Sequence, residues 1–331
     1  MNKFIMVIGL PASGKDTYIK NFLKNTNEDF SVFSSDSIRE ELWGDESIQG
    51  SPAEVFALMN KRIKFALSKG ENIIYNATNI KVKDRRGVLT EVKKHKDYMC
   101  YAVIIGTTYE QCLLNNKKRA ESGGRFVPEE VIKRMYYSFE PPHIFEGFNR
   151  IEVYYPFICP FRDYEKEIKD LKKVSHDCES YHKYSIGTHI NRAAKMAKAD
   201  IKKGKLDDLF FDNYADYYKN ILPIILYMHD LGKAETKVFT DAKGNPSKNA
   251  HYYHHENVGA YNYMFYNFDN KGFDVIRYRY DYNVAAAIAY HMRPYQWQSK
   301  KIEDKYKKLW GTHLFNLIKA VHIYDKKSEE D

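Results

Sequence analysis

Two groups of residues in this sequence have the types and spacing to do chemistry on phosphates. In Gly9-Leu10-Pro11-Ala12-Ser13-Gly14-Lys15, backbone N–H groups can wrap a β-phosphate while Lys15 reaches the β- and γ-phosphates. Gly9, Ser13, Gly14 and Lys15 are therefore nucleotide-binding candidates, and Thr17 is placed for the α-phosphate. Asp16 stands where Ser or Thr commonly holds Mg²⁺. It either binds the metal, directly or through water, or points away.

The second group centres on His229-Asp230, with His189 upstream and His254, His255, His291 and Asp325 downstream. A carboxylate can bridge two ions while each imidazole binds one. Imidazole and carboxylate donors suit Mn, Fe, Ni, Co, Zn or Mg, and the lack of cysteine argues against a structural zinc. His254 and His255 are equal candidates for one position. His182, His251 and His313 read as supporting or surface residues.

An acceptor site is also legible. Ser34-Ser35-Asp36 ends a strand-like run, and Arg39 follows one helical turn later. Asp36 would accept the proton of an attacking hydroxyl, and Arg39 would hold a phosphate of the acceptor. Alternatively Asp36 is an N-cap and Arg39 a solvent residue. The basic stretch 115–119, ending in Arg119, and Arg125 beyond the Gly123-Gly124 break read as a lid on the donor phosphates, or as a solvated face.

These residues need a frame. FIMVIGL, FSVFSS, ENIIYNAT and YMCYAVIIG read as four strands separated by helical patterns, which predicts a parallel sheet with flanking helices. Near Pro156 the texture changes, and residues 156–174 read as a linker or bridging helix. Beyond it strand-like runs almost vanish, and the histidine-bearing segments look helical. Of twelve histidines only His95 and His143 precede residue 150. The expected organisation is an α/β domain over 1–155, the linker, and an all-α domain over 175–331.

Composition narrows the class. The chain has 331 residues, 44% hydrophobic and 29% charged, which excludes a mostly disordered protein. No apolar run reaches the ~18–20 residues of a membrane span, and no signal peptide is evident. Four cysteines without a CxxC pair fit a reducing cytoplasm. The net charge of +8 serves either solubility or attraction to a polyanion.

The order of phosphate loop, Ser-Asp-x-x-Arg, Ala-Thr-Asn, then Asn-x-x-Arg before Val-Pro resembles the kinase module of phage polynucleotide kinase and its bacterial RNA-repair relatives, over residues 1–155. The resemblance implies ATP with Mg²⁺, Lys15 on phosphates and Asp36 as general base for a 5′-hydroxyl. It also implies Arg39 on the acceptor phosphate, Arg119 on the donor, and basic residues at Arg85 and Arg86 for the acceptor. The family's acidic position here falls on Asn76 or Ala77.

Residues 175–331 resemble the HD phosphohydrolase family, with the ligand order His189, His229, Asp230, His255, His291, Asp325. Having both His255 and His291 is similar to the two-metal branch. His-Met-Arg-Pro at 291–294 resembles the HD domain of tRNA nucleotidyltransferases, which implies 2′,3′-phosphate hydrolysis. Lys233 and Arg293 would hold the phosphate, or are a helix-end lysine and a surface arginine. Together the resemblances imply a bifunctional enzyme that heals RNA or DNA ends, with an RNA ligase acting downstream. The module order is the reverse of known HD-domain polynucleotide kinases. The alternatives are a nucleoside or nucleotide kinase fused to an HD nucleotidase, and a P-loop domain that senses ATP and gates the hydrolase.

Overall fold

The computed structural model describes residues 1–48, 50–157, 162–177, 183–266 and 280–330. Cys159, Cys178 and His182 lie outside the described residues. The chain divides into two compact units: Met1–Ser138 with Pro142–Pro160, and Phe139–Pro141 with Phe161–Asp331.

In the first unit β1 (Asn2–Ile8), β2 (Ser31–Ser34), β3 (Ile73–Asn76), β4 (Tyr98–Ile105) and β5 (Arg150–Tyr154) form a parallel sheet in the order β2-β3-β1-β4-β5. Phe4, Met6, Val7 and Ile8 of β1 are fully buried, as a central strand covered on both faces requires. Helices α1 (Lys15–Asn25), α2 (Ser35–Trp43), α3 (Pro52–Ser68), α4 (Val82–Val92), α5 (Tyr109–Glu121) and α6 (Glu129–Tyr136) complete it. The register sets Val7 and Ser34 each opposite Asn76, so β1, β3 and β2 end level. The loops leaving the carboxyl ends of those three strands therefore meet at one edge.

The structure departs from the expected four strands by adding β5. This edge strand is only partly buried, so its residues show no continuous apolar run. It extends the sheet beside β4, from Tyr101 opposite Arg150 to Ile105 opposite Tyr154.

The second unit comprises α7 (Tyr164–Leu171), α8 (Ile186–Lys202), α9 (Ala215–Met228), α10 (Lys233–Thr236), β6 (Lys237–Thr240), β7 (Pro246–Tyr252), α11 (His255–Asn262), α12 (Tyr282–Tyr290) and α13 (Lys300–Lys327). Helix α7 falls within the stretch read as a linker or bridging helix. Its Tyr164, Ile168 and Leu171 recur at helical spacing and join the core of this unit. Residues 283–290 of α12 are buried on every side, and four alanines let neighbouring helices approach. Helix α13 is broken at Gly311, whose φ of 73° a side chain would disfavour.

The expectation of an all-α unit needs correction, because β6 and β7 form an antiparallel hairpin. Its turn is held by Asp241, whose Oδ1 accepts from the backbone N–H groups of Lys243 and Asn245, both at 2.8 Å. β7 is largely polar, and the four-residue β6 carries its Val238 and Phe239 exposed and adjacent, so no apolar alternation announces the hairpin. Among the described residues no helix is long and apolar enough to cross a membrane.

Arg85 of α4 is fully buried. Its guanidinium donates to both carboxylate oxygens of Glu146 at 2.8 Å and to the carbonyl of Asn79 at 2.9 Å. Arg85→Ala would leave the Glu146 carboxylate buried without its cation. Urea denaturation should show a loss of about 3–5 kcal/mol. A loss below about 1 kcal/mol would mean the pair behaves like an exposed one.

Candidate functional site

The loop after β1 folds around its own lysine. Lys15 Nζ donates to the carbonyls of Leu10 at 2.9 Å and Gly9 at 3.3 Å. Gly14 caps α1 with φ 99° and ψ 21°, a left-handed conformation that suits glycine. A Cβ on Gly9 would lie 2.6 Å from Ser13 Oγ, so the tight return of the loop also needs a glycine. Two neighbouring strand ends pin the loop. Gly9 N–H donates to Thr78 O at 3.0 Å, and Thr107 Oγ1 donates to Ser13 O at 2.7 Å. Burial lowers the pKa of Lys15 against the opposing pull of Asp16 and Asp36.

Asp16 is turned to the end of β3, where its Oδ1 accepts from Asn76 Nδ2 at 2.7 Å. Thr17 lies beside it on α1. Both line a cavity of about 860 Å³ together with Lys15, Asp36, Arg39, Arg119 and Arg125.

Asp36 sits in the first turn of α2, and the cap is Ser34, whose Oγ accepts from the Asp36 N–H at 3.3 Å. The N-cap alternative for Asp36 therefore falls away. Its Oδ1 accepts from Arg39 Nη1 at 2.7 Å and from Arg125 Nη1 at 2.6 Å. Arg39 is buried, not a solvent residue, and burial lowers its pKa while Asp36 opposes that shift. The sequence reading sets Arg125 on the donor nucleotide with Arg119, yet here its guanidinium is joined to Asp36.

Arg119 lines the cavity, and its Nη2 donates to Asn116 Oδ1 at 3.2 Å. Asn116 clamps the chain beyond the glycine break by donating to Val127 O at 2.8 Å and accepting from its N–H at 3.0 Å. Arg86 is not among the residues that line the cavity, and Arg85 serves the buried ion pair with Glu146. Phe56, Phe126, Val131, Arg134 and Met135 also line it. Sequence reading missed Phe56, Val131 and Met135 because apolar residues on helices look like core, and Phe126 and Arg134 because neither stands in a motif.

In the second unit four imidazoles and two carboxylates are buried together: His189, His229, Asp230, His255, His291 and Asp325. Among the described residues their atoms form two overlapping groups. One is His189, His229, Asp230 and Asp325; the other is Asp230, His255 and His291. Asp230 belongs to both. His255 Nε2 lies 3.2 Å from Asp230 Oδ1 and 3.3 Å from His291 Nε2. His254 is exposed with φ 64°, and His255 is the neighbour whose ring turns inward to the buried group.

Each histidine engages its Nδ1 away from the cluster. His229, His255 and His291 meet the carbonyls of Leu226, Tyr252 and Ile288 at 2.7–2.8 Å. His189 Nδ1 lies 2.8 Å from Ser328 Oγ and 2.8 Å from a Glu329 carboxylate oxygen. This leaves four Nε2 atoms facing Asp230 and Asp325, the arrangement that metal-binding histidines adopt. His229 Nε2 is buried and makes no hydrogen bond of good geometry. The residues present therefore fit one or two divalent ions.

Electrostatics follow from burial. Asp230 is held well below the usual carboxylate range, because Lys233, His229 and His255 outweigh the desolvation that would raise it. Burial would lower His189, but hydrogen bonds to Asp325 and Glu329 carry it up to about 9. His291, desolvated beside His229 and His255, is pushed down to about 3.

Lys233 Nζ lies 2.8 Å from Asp230 Oδ2. Arg293 follows His291 in a 3₁₀ turn and is partly exposed. Two residues of this site escaped the sequence reading. His176, buried, has its Nε2 3.4 Å from Lys233 Nζ, and Tyr295 donates its hydroxyl to Asp325 Oδ2 at 3.0 Å. His176 sits outside any helical pattern, so its spacing gave no signal.

Residues 4–142 match the family model described as an AAA domain, so the N-terminal unit carries a P-loop domain of the kind that binds ATP with Mg²⁺. An L-seryl-tRNA(Sec) kinase of Methanococcus maripaludis is 31% identical over 146 residues, which is 42% of this chain and 52% of that protein. The chain thus spans about half the length of this curated relative. Among solved structures, the Pnkp1/Rnl/Hen1 RNA repair complex aligns at 20% identity with a TM-score of 0.37, over 40% of this chain and 42% of the other. The PezAT chromosomal toxin–antitoxin system of Streptococcus pneumoniae aligns at 17% identity with a TM-score of 0.37, over 47% and 67%.

The ligand geometry yields a comparison of neighbours. His255→Ala should lower divalent metal content, measured by elemental analysis after dialysis against Mn²⁺, whereas His254→Ala should leave it at the wild-type level. Equal losses in both would count against the inward ring as the ligand.

Proposed function

We propose that the chain is a bifunctional end-healing enzyme. One activity transfers the γ-phosphoryl of ATP to a 5′-hydroxyl of RNA or DNA. The other removes a 2′,3′-cyclic, 2′- or 3′-phosphate. The observation that carries the first is the shared cavity, in which the phosphate loop and Asp36 stand together with arginines beside both. The observation that supports the second is the buried set of four imidazoles and two carboxylates. The archaeal relative is named a kinase of L-seryl-tRNA(Sec), which agrees with an acceptor hydroxyl carried on a nucleic acid.

In the kinase step the loop N–H groups and Lys15 hold the β- and γ-phosphates, and Arg119 adds charge on the donor side. Asp36 takes the proton of the attacking hydroxyl as the new P–O bond forms and ADP leaves. Arg39 and Arg125 fix its Oδ1, so the other oxygen is the one presented to the acceptor. Mg²⁺ supplies charge neutralisation at the transferring phosphate.

In the hydrolytic site His189, His229, Asp230 and Asp325 would hold one ion, and Asp230, His255 and His291 a second. Such ions supply a water of lowered pKa and polarise the phosphate under attack. Lys233, paired with Asp230 beside the ligand set, would meet a phosphate oxygen. An RNA ligase would act on the healed ends.

The test is an RNA oligonucleotide with a 5′-hydroxyl and a 2′,3′-cyclic phosphate, incubated with ATP, Mg²⁺ and Mn²⁺ and read by mass at both ends. Wild-type protein should gain a 5′-phosphate and lose the 3′ phosphate. Asp36→Ala should cut 5′ phosphorylation by about 10²-fold or more while sparing the other end. Consumption of free nucleosides or nucleotides with neither RNA end changed would favour the small-molecule kinase–nucleotidase reading, to which the apolar wall around Phe126 is suited.

A further inference from the structure

P-loop enzymes usually hold Mg²⁺ with a Ser or Thr hydroxyl after the loop lysine and a carboxylate from a neighbouring strand. Here both positions are changed. The residue after Lys15 is Asp16, and the last residue of β3 is Asn76. Each change alone would upset the site: the first would add a negative charge, the second would remove one. The structure joins them, because Asp16 Oδ1 accepts from Asn76 Nδ2 at 2.7 Å and both residues line the nucleotide cavity.

Asn76 supplies an independent sign. It is 5% exposed, and its Oδ1 has no hydrogen-bond partner although it is buried. A buried carbonyl oxygen without a donor is costly and calls for a partner. A hard cation takes carboxylate and amide oxygens alike. The amide N–H meanwhile holds Asp16 in place, and Asn76 lines the cavity together with Gly14 and Lys15 of the loop.

We infer that the carboxylate of the nucleotide–metal site has changed sides in this protein: Asp16 of the loop supplies it, and Asn76 at the end of β3 orients it and offers its amide oxygen. The pair keeps one negative charge at the cation, as the usual Ser/Thr and Asp pair does. This rests on the nucleotide-binding reading of the first unit and adds which residues hold the ion.

The experiment uses the full chain with the non-hydrolysable analogue AMP-PNP and Mn²⁺ as the metal probe. Bound Mn²⁺ is read by electron paramagnetic resonance, and AMP-PNP affinity without metal is measured separately. Asp16→Asn and Asp16→Ser should each weaken Mn²⁺ binding to the nucleotide complex by about tenfold or more. The exchange variant, Asp16→Ser with Asn76→Asp, should return Mn²⁺ affinity towards the wild-type value, since it restores a carboxylate on the other side.

Unchanged Mn²⁺ affinity in Asp16→Asn overturns the inference and leaves the nucleotide reading intact. So does an exchange variant as weak as Asp16→Ser. Failure of the wild-type chain to bind AMP-PNP overturns both. A single variant that fails to fold is replaced by the exchange variant, whose recovered affinity carries the test.

Discussion

Asp230 governs the second unit. A carboxylate taken fully out of water is tolerable only if opposite charges and donors surround it. Its surroundings come from four parts of the chain: His189 on α8, His229 beside it in sequence, His255 and Lys233 near the hairpin, and His291 after α12. No two of these helices could shift apart without exposing an imidazole or leaving the carboxylate unmatched. The helical core and the ionic centre are therefore one structure. Small alanine-rich contacts such as those of α12 let the backbones come close enough for the rings to meet.

The first unit solves a different problem. Its site is built from backbone, at strand ends that the sheet register makes level. The loop is stiff because its lysine, its glycines and two neighbouring strands all restrain it. The acidic groups are handled locally. Asp36 is shared by two arginines, and Asp16 is tied to Asn76.

Much of this was legible in the residues. The phosphate loop could be read because its glycines serve backbone geometry that other residues would not permit. Five of the six buried donors of the second unit could be read because each stands on or beside a helical segment rich in apolar residues, and the sixth was narrowed to His254 or His255. The features that could not be read have physical causes. Strand β5 is an edge strand with mixed exposure, and the β6–β7 hairpin is largely exposed with a four-residue first strand, so neither carries a periodic apolar signal. The joining of Arg125 to Asp36 spans 89 positions and depends on how the chain returns after Gly124. The inward ring of His255 and the outward ring of His254 depend on where α11 begins, with His254 at φ 64° just before its first residue.

The outward nitrogens of the four histidines divide them unequally. Three use a carbonyl three residues earlier in their own segment, so the tautomer of each is fixed by the backbone on which it rides. His189 lies within a helix, where such carbonyls are already engaged, and it borrows Ser328 and Glu329 from beyond α13. His229, His255 and His291 each carry their orienting acceptor in their own segment, while the ring of His189 is held by residues about 139 positions away. The orientation of the fourth ring thus depends on the return of the chain after α13, and that of the other three on their own segments.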